Sequence, residues 1–141
     1  MRIFAAIMLA MMAQQAWAQC NVTAQSINFG NYTQFSPAHT DSAGNIGVTC
    51  DAAASFSIAL STGAGTYAAR IMTNSEGHVL RYNLYLDAGR NVVWGDGVGG
   101  ASSIASGNGT SANYTVYGRI PAGQNAYAGN YGDSIIVTLN F

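Results

Sequence analysis

The chain has 141 residues, 49% of them hydrophobic and only 8% charged, with a formal net charge of −1. All of its cations are arginines and there is no lysine, so it lacks the basic patch that a nucleic-acid-binding domain requires. So little charge is uncharacteristic of a solitary soluble domain and favours a surface that packs against copies of itself or of relatives.

Residues 1–18 read as a secretory leader. Arg2 supplies the positive start, residues 3–13 form an apolar stretch, and Ala16-Trp17-Ala18 is a small–x–small cleavage site. Cleavage would fall between Ala18 and Gln19. Gln14 and Gln15 cut the apolar run below the ~20 residues of a spanning helix. Gln19 is too large for the position before a lipidated cysteine, which argues against a lipoprotein at Cys20. Removing the leader leaves 141 − 18 = 123 residues, one domain over 19–141. Four arginines then face five aspartates and Glu76, a net of −2.

Export places Cys20 and Cys50 in an oxidising compartment, where they are the available intramolecular pair. A metal site or reactive thiol lacks partners, since neither cysteine has a histidine close in sequence.

The rest reads as strand and turn. Strands are expected over residues 22–29, over 45–50 with Ile46, Val48 and Cys50 alternating, and around Phe56, Ile58 and Leu60. Residues 80–86 set Leu80, Tyr82, Leu84 and Leu86 on one face against Arg81, Asn83 and Tyr85. A short strand follows at 92–94, residues 95–109 read as one long glycine-rich loop, and residues 114–120 form another strand. The closing stretch, 133–141, puts Ile135, Val137, Leu139 and Phe141 on one face and Ser134, Ile136, Thr138 and Asn140 on the other. At roughly 3.3 Å per residue it would reach about 30 Å. An edge this apolar recruits other chains unless it is covered, which points to assembly by strand addition. About seven short strands with glycine-rich turns specify an all-β antiparallel sandwich.

Enzyme chemistry finds little to stand on. The glycine spacing of residues 95–100 matches a dinucleotide-binding loop, but no helix opener follows and no acidic residue lies about twenty positions on. His39, Asp41, Ser36 and Ser42 are close in sequence, but Pro37 and Gly44 mark the stretch as a mobile turn rather than a rigid triad framework. His78 falls at a hairpin-like tip. Asp96 and Asp133 adjoin glycine turns, where an aspartate commonly binds nearby backbone N–H groups. Tyr67, Tyr85, Trp94, Tyr117, Tyr127 and Tyr131 could stack on a sugar, although plugging the sandwich or pairing across strands is the simpler role. No catalytic residue, metal ligand or cofactor site can be named.

Several phrases together resemble the spore coat protein U-like domain. They are Cys20 with Phe29-Gly30-Asn31-Tyr32, Ile46-Gly47-Val48-Thr49-Cys50, and Leu80-Arg81-Tyr82-Asn83-Leu84-Tyr85-Leu86-Asp87. Trp94-Gly95-Asp96-Gly97, Val116-Tyr117-Gly118-Arg119-Ile120-Pro121 and Gly129-Asn130-Tyr131-Gly132-Asp133 through Phe141 continue the series. Members of that family resemble pilins of the archaic chaperone–usher pathway. The resemblance implies an incomplete immunoglobulin-like β-sandwich lacking its final strand. A periplasmic chaperone would lend the strand, and another pilin subunit would replace it by donor-strand exchange at an outer-membrane usher. It further implies that Ile135, Val137, Leu139 and Phe141 form the chaperone and donor-strand edge. The terminal carboxylate would be held by basic chaperone residues, and Cys20 with Cys50 would be the family disulfide. A polymerising pilin carries about a dozen residues ahead of its first cysteine, whereas cleavage after Ala18 leaves only Gln19. The chain then reads as an acceptor-only tip or terminal subunit of a secreted surface fibre or coat, with a role in adhesion or biofilm. The alternative is a tip adhesin module that binds a surface or glycan directly.

Overall fold

Two long strands carry the rest of the fold. A computed structural model describes residues 17–98 and 102–141 as all-β, with strands β1 (Cys20–Ala24), β2 (Thr40–Leu60), β3 (Arg70–Thr73), β4 (Val79–Tyr85), β5 (Ala105–Ile120) and β6 (Val137–Asn140). Residues 1–16 of the expected 1–18 leader, and residues 99–101 of the glycine-rich stretch, lie outside the described residues. Every pairing between these strands is antiparallel, and the order β1-β2-β5-β4-β3 forms one sheet, with β6 added to β2.

β2 is 21 residues long and unites the two strands expected at 45–50 and 56–60. It pairs with β5 over Thr40 to Thr49 and again over Ala54 to Ile58, with a register shift between. On β5 the same interval runs only from Ser111 to Gly109, so the surplus residues of β2 bend the ribbon. Ile46, Val48 and Cys50 on one side of the bend, and Phe56, Ile58 and Leu60 on the other, are all buried. The sheet thus curls around its own core, which Leu80, Tyr82, Leu84, Val116 and Ile120 complete.

Several sequence expectations change. The glycine-rich loop ends earlier than 109, because β5 already begins at Ala105 and Trp94 bridges Ser103. Of residues 92–94, Val93 and Trp94 make isolated bridges rather than a strand. The first strand stops at Ala24, and the last ladder holds only Val137–Asn140 instead of the full 133–141. His39 is followed directly by β2, so Asp41, Ser42 and Gly44 sit in a strand and not in a mobile turn. β3 was not expected, and it opens with a fully buried arginine.

That arginine, Arg70, ties three segments together through carbonyl oxygens. Its Nε and Nη2 donate to Ser61 O at 3.0 and 2.8 Å, Nη1 donates to Asn83 Oδ1 at 2.7 Å, and Nη2 donates to Trp94 O at 2.7 Å. Its planar fork supplies the donors, and a buried guanidinium requires such partners to offset its desolvation. Trp94 is itself fully buried and donates Nε1–H to Ile58 O at 2.9 Å, which fixes the 92–95 stretch against the second half of β2.

Candidate functional site

The disulfide expected between Cys20 and Cys50 is present, and the two cysteines face each other directly in the β1–β2 register. It fastens β1 to the first half of β2. β6 lies along the same edge of β2 beyond the bend, where Leu60 pairs with Val137 and Ser57 with Asn140. One edge of β2 therefore carries a different short strand on each side of the bend.

Hydrogen-bond direction shows which way each short strand presents its free backbone. Ser61 N donates to Ile136 O at 3.0 Å and Ile136 N donates to Ser61 Oγ at 2.8 Å. Ile136, Thr138 and Asn140 thus turn their main chain toward β2, and Ile135, Val137 and Leu139 turn theirs away. On β1, Asp51 N donates to Gln19 O and Gln25 N to Asn45 O, at 3.0 and 2.8 Å. Cys20, Val22 and Ala24 then present their backbone outward. Among the described residues neither outward row has a strand partner.

Between these edges the core lies open. A cleft of about 820 Å³ has residues 24–32 along one wall and residues 126–133 with Ile135 and Val137 along the other. Ile46, Leu60, Met72, Leu80, Leu84, Val116 and Ile120 line its interior. The first wall leaves the sheet after Ala24 because Ile27 and Phe29 cross over two glycines. An added Cβ at Gly44 would lie 2.7 Å from Ile27 Cγ1, and one at Gly118 would lie 2.7 Å from Phe29 Cζ. The second wall is pinned by a two-way bridge between Gly132 and Thr73, both bonds 3.0 Å, and by Tyr127 stacked on His78 at 4.0 Å. Asp133 takes Ala64 N on Oδ1 at 3.1 Å and the Tyr82 hydroxyl on Oδ2 at 2.6 Å.

The four residues expected at the exchange edge differ in burial. Ile135, Val137 and Leu139 pack against the core, while Ile136 on the opposite face is 69% exposed. Phe141 departs from the expectation: it lies past the last ladder residue, is 59% exposed, and borders a separate shallow pocket with Phe56 and Asn108. Trp94 is also removed as a sugar-stacking residue, because no part of it reaches solvent.

The remaining candidates have structural partners. Arg119 grips Asp41 with two bonds of 2.7 and 2.9 Å, and this holds the Asp41 carboxyl below its usual range, with Arg90 adding to the effect. His39 Nδ1 accepts from Ala122 N at 3.1 Å, so Asp41 and His39 are bonded to different residues and not to each other. Asp96 accepts Val98 N at 2.9 Å, and that bond keeps its carboxyl low as well. Sequence reasoning missed Arg70, the bond from Tyr82 to Asp133 and the crossing of Ile27 and Phe29. The glycines at 44 and 118, opposite a large apolar residue in each case, were the available signal for the crossing.

The family model for the Spore Coat Protein U domain matches residues 6–138. Protein U of Myxococcus xanthus is 31% identical over 132 residues, which is 82% of this chain and 72% of that protein. Among solved structures, one chain of the CsuC–CsuE chaperone–tip adhesion subunit pre-assembly complex, from archaic chaperone–usher Csu pili of Acinetobacter baumannii, superposes with a TM-score of 0.62. That likeness has 24% sequence identity and covers 89% of this chain but 40% of the neighbour, so it is a likeness of fold.

Proposed function

From the premise that this chain belongs to the Spore Coat Protein U domain family, we propose that it is a structural subunit of a secreted surface pilus or coat, assembled by strand addition and without enzymatic activity. The observation that carries this reading is the open cleft, flanked by an outward-facing backbone row on β1 and another on β6. Unpaired strand edges beside an exposed apolar interior are unfavourable in water, and an extended peptide laid between them would satisfy both. Its backbone would pair with the two rows, and its alternate side chains would fill the cleft. A periplasmic chaperone supplies that strand first, and a neighbouring subunit replaces it at an outer-membrane usher.

Processing between Ala18 and Gln19 is part of the same proposal. The family match starts at residue 6, inside the expected leader, so the mature N-terminus decides the subunit's position. With Gln19 as the first residue the subunit accepts a strand and has none to give, which sets it at the tip or end of a fibre.

The test is complementation. An alternating apolar strand fused through a flexible linker after Phe141 converts the processed domain from an aggregating product into a soluble monomer with a raised Tm. An unfused domain that is already soluble, melts cooperatively and is unaffected by the added strand overturns the proposal. Homopolymers formed by the purified processed domain overturn the acceptor-only position alone.

A further inference from the structure

We propose that Asp51 is the docking site for the α-ammonium group that leader cleavage creates on Gln19. The inference rests on processing between Ala18 and Gln19. Gln19 N lies 2.7 Å from Asp51 Oδ1, and Gln19 O accepts Asp51 N at 3.0 Å. The next residue, Cys20, is bonded covalently to Cys50, the neighbour of Asp51. Gln19 is therefore held from both sides of its own backbone. Among the described residues Asp51 is the charged group in hydrogen-bond contact with this nitrogen.

In the precursor the nitrogen is an amide with one proton, and the carboxylate accepts an ordinary N–H bond. Cleavage turns the same atom into a cation opposite a carboxylate already in position. The pair is exposed, so solvent and salt weaken it. It still has a chemical consequence. An N-terminal glutamine can close on itself: the neutral α-nitrogen attacks Cδ, the N–Cδ bond forms, the Cδ–Nε2 bond breaks, and ammonia leaves carrying the amine proton. An ammonium ion held by Asp51 lacks the lone pair for this attack. Asp51 thus slows the closure and favours a mature end that is open-chain, charged and fastened to its own sheet, where it caps β1 beside the disulfide.

The sequence makes this directly measurable, because a lysine-free processed chain has one primary amine, its own N-terminus. Intact mass first identifies the N-terminal residue of the secreted protein. Acylation by an amine-selective reagent is then followed against pH for the wild type, Asp51→Asn and Asp51→Ser. The expected result is a wild-type midpoint roughly half a pH unit above both variants, with neutral-pH acylation about two- to fivefold slower. Coincident profiles overturn the proposal, as does a wild-type product lighter by one ammonia and inert to the reagent. A mature end other than Gln19 defeats the processing step instead, and the mass reveals this before any amine is labelled. Either variant suffices should the other fail to fold.

Discussion

The hydroxyl of Tyr82, in the middle of β4, donates to Asp133 Oδ2 at 2.6 Å and so joins the core to the cleft's second wall. Tyr82 is buried, and a carboxylate that loses its donor there is left partly desolvated. Tyr82→Phe should therefore cost about 1.5–3 kcal/mol, read by urea denaturation of the strand-complemented domain. Burial first, and the Asp133 bond second, push the Tyr82 hydroxyl pKa well above that of an ordinary phenol. A raised pKa means the folded state holds the proton more tightly, so this contribution is full below about pH 10 and is lost as pH rises further. The wild type should lose stability on that alkaline limb faster than Tyr82→Phe does. Parallel limbs would count against the assignment.

Adjacent residues on the closing strand should respond in opposite ways. Val137 packs against the core beside the open edge, whereas Ile136 is 69% exposed on the other face. Placing an aspartate at Val137 or Leu139 buries a charge and costs several kcal/mol unless the strand moves. Val137→Asp combined with Leu139→Asp should abolish chaperone capture in a co-purification assay, and Ile136→Asp should leave it intact. Loss of capture in both cases would show that the exchange edge is not organised by this alternation.

Alternation made that face legible, since period-two patterning survives wherever one side of a strand is buried. Phe141 fits the period but lies past Asn140, where no ladder holds it inward. The continuity of β2 was hidden because Asp51-Ala52-Ala53-Ala54 carries no apolar alternation, and pairing with β5 resumes only at Ala54. The start of β5 reads as loop for a similar reason: Gly107 and Gly109 are strand residues only because β2 pairs with them. Arg70 was invisible, since its acceptors come from Ser61, Asn83 and Trp94, which no local pattern brings together.

The disulfide should matter most for the β1 side of the cleft. Cys20 and Cys50 are 30 residues apart, and in the chain-entropy model a loop of that size stabilises by roughly 3–4 kcal/mol. Cys20→Ser with Cys50→Ser should lower stability by about that much, and β1 amides should lose hydrogen-exchange protection before those of β4. Uniform loss of protection across both strands would mean that β1 is not separately fastened.

Gly44 and Gly118 should tolerate alanine unequally, although both are crossed by an apolar side chain from the first wall. At Gly44 a Cβ would meet Ile27 Cγ1 at 2.7 Å and also the main-chain oxygen of Gln25 at 2.8 Å. The carbonyl cannot yield without moving the chain that bonds Asn45 through Gln25 N. At Gly118 the contacts are Phe29 Cζ and Cε1, at 2.7 and 2.9 Å, the far end of a ring that can tilt. Tilting loosens the edge-on contact of Phe29 with Tyr82, whose ring centres are 6.0 Å apart, but leaves the backbone in place. Gly44→Ala should therefore cost about 1–3 kcal/mol, the range for overpacking, and open residues 25–30 to limited proteolysis. Gly118→Ala should cost clearly less and leave the cleavage pattern unchanged. The reverse order in thermal melts of the two variants would mean that the wall is held by Phe29 rather than by its passage over β2.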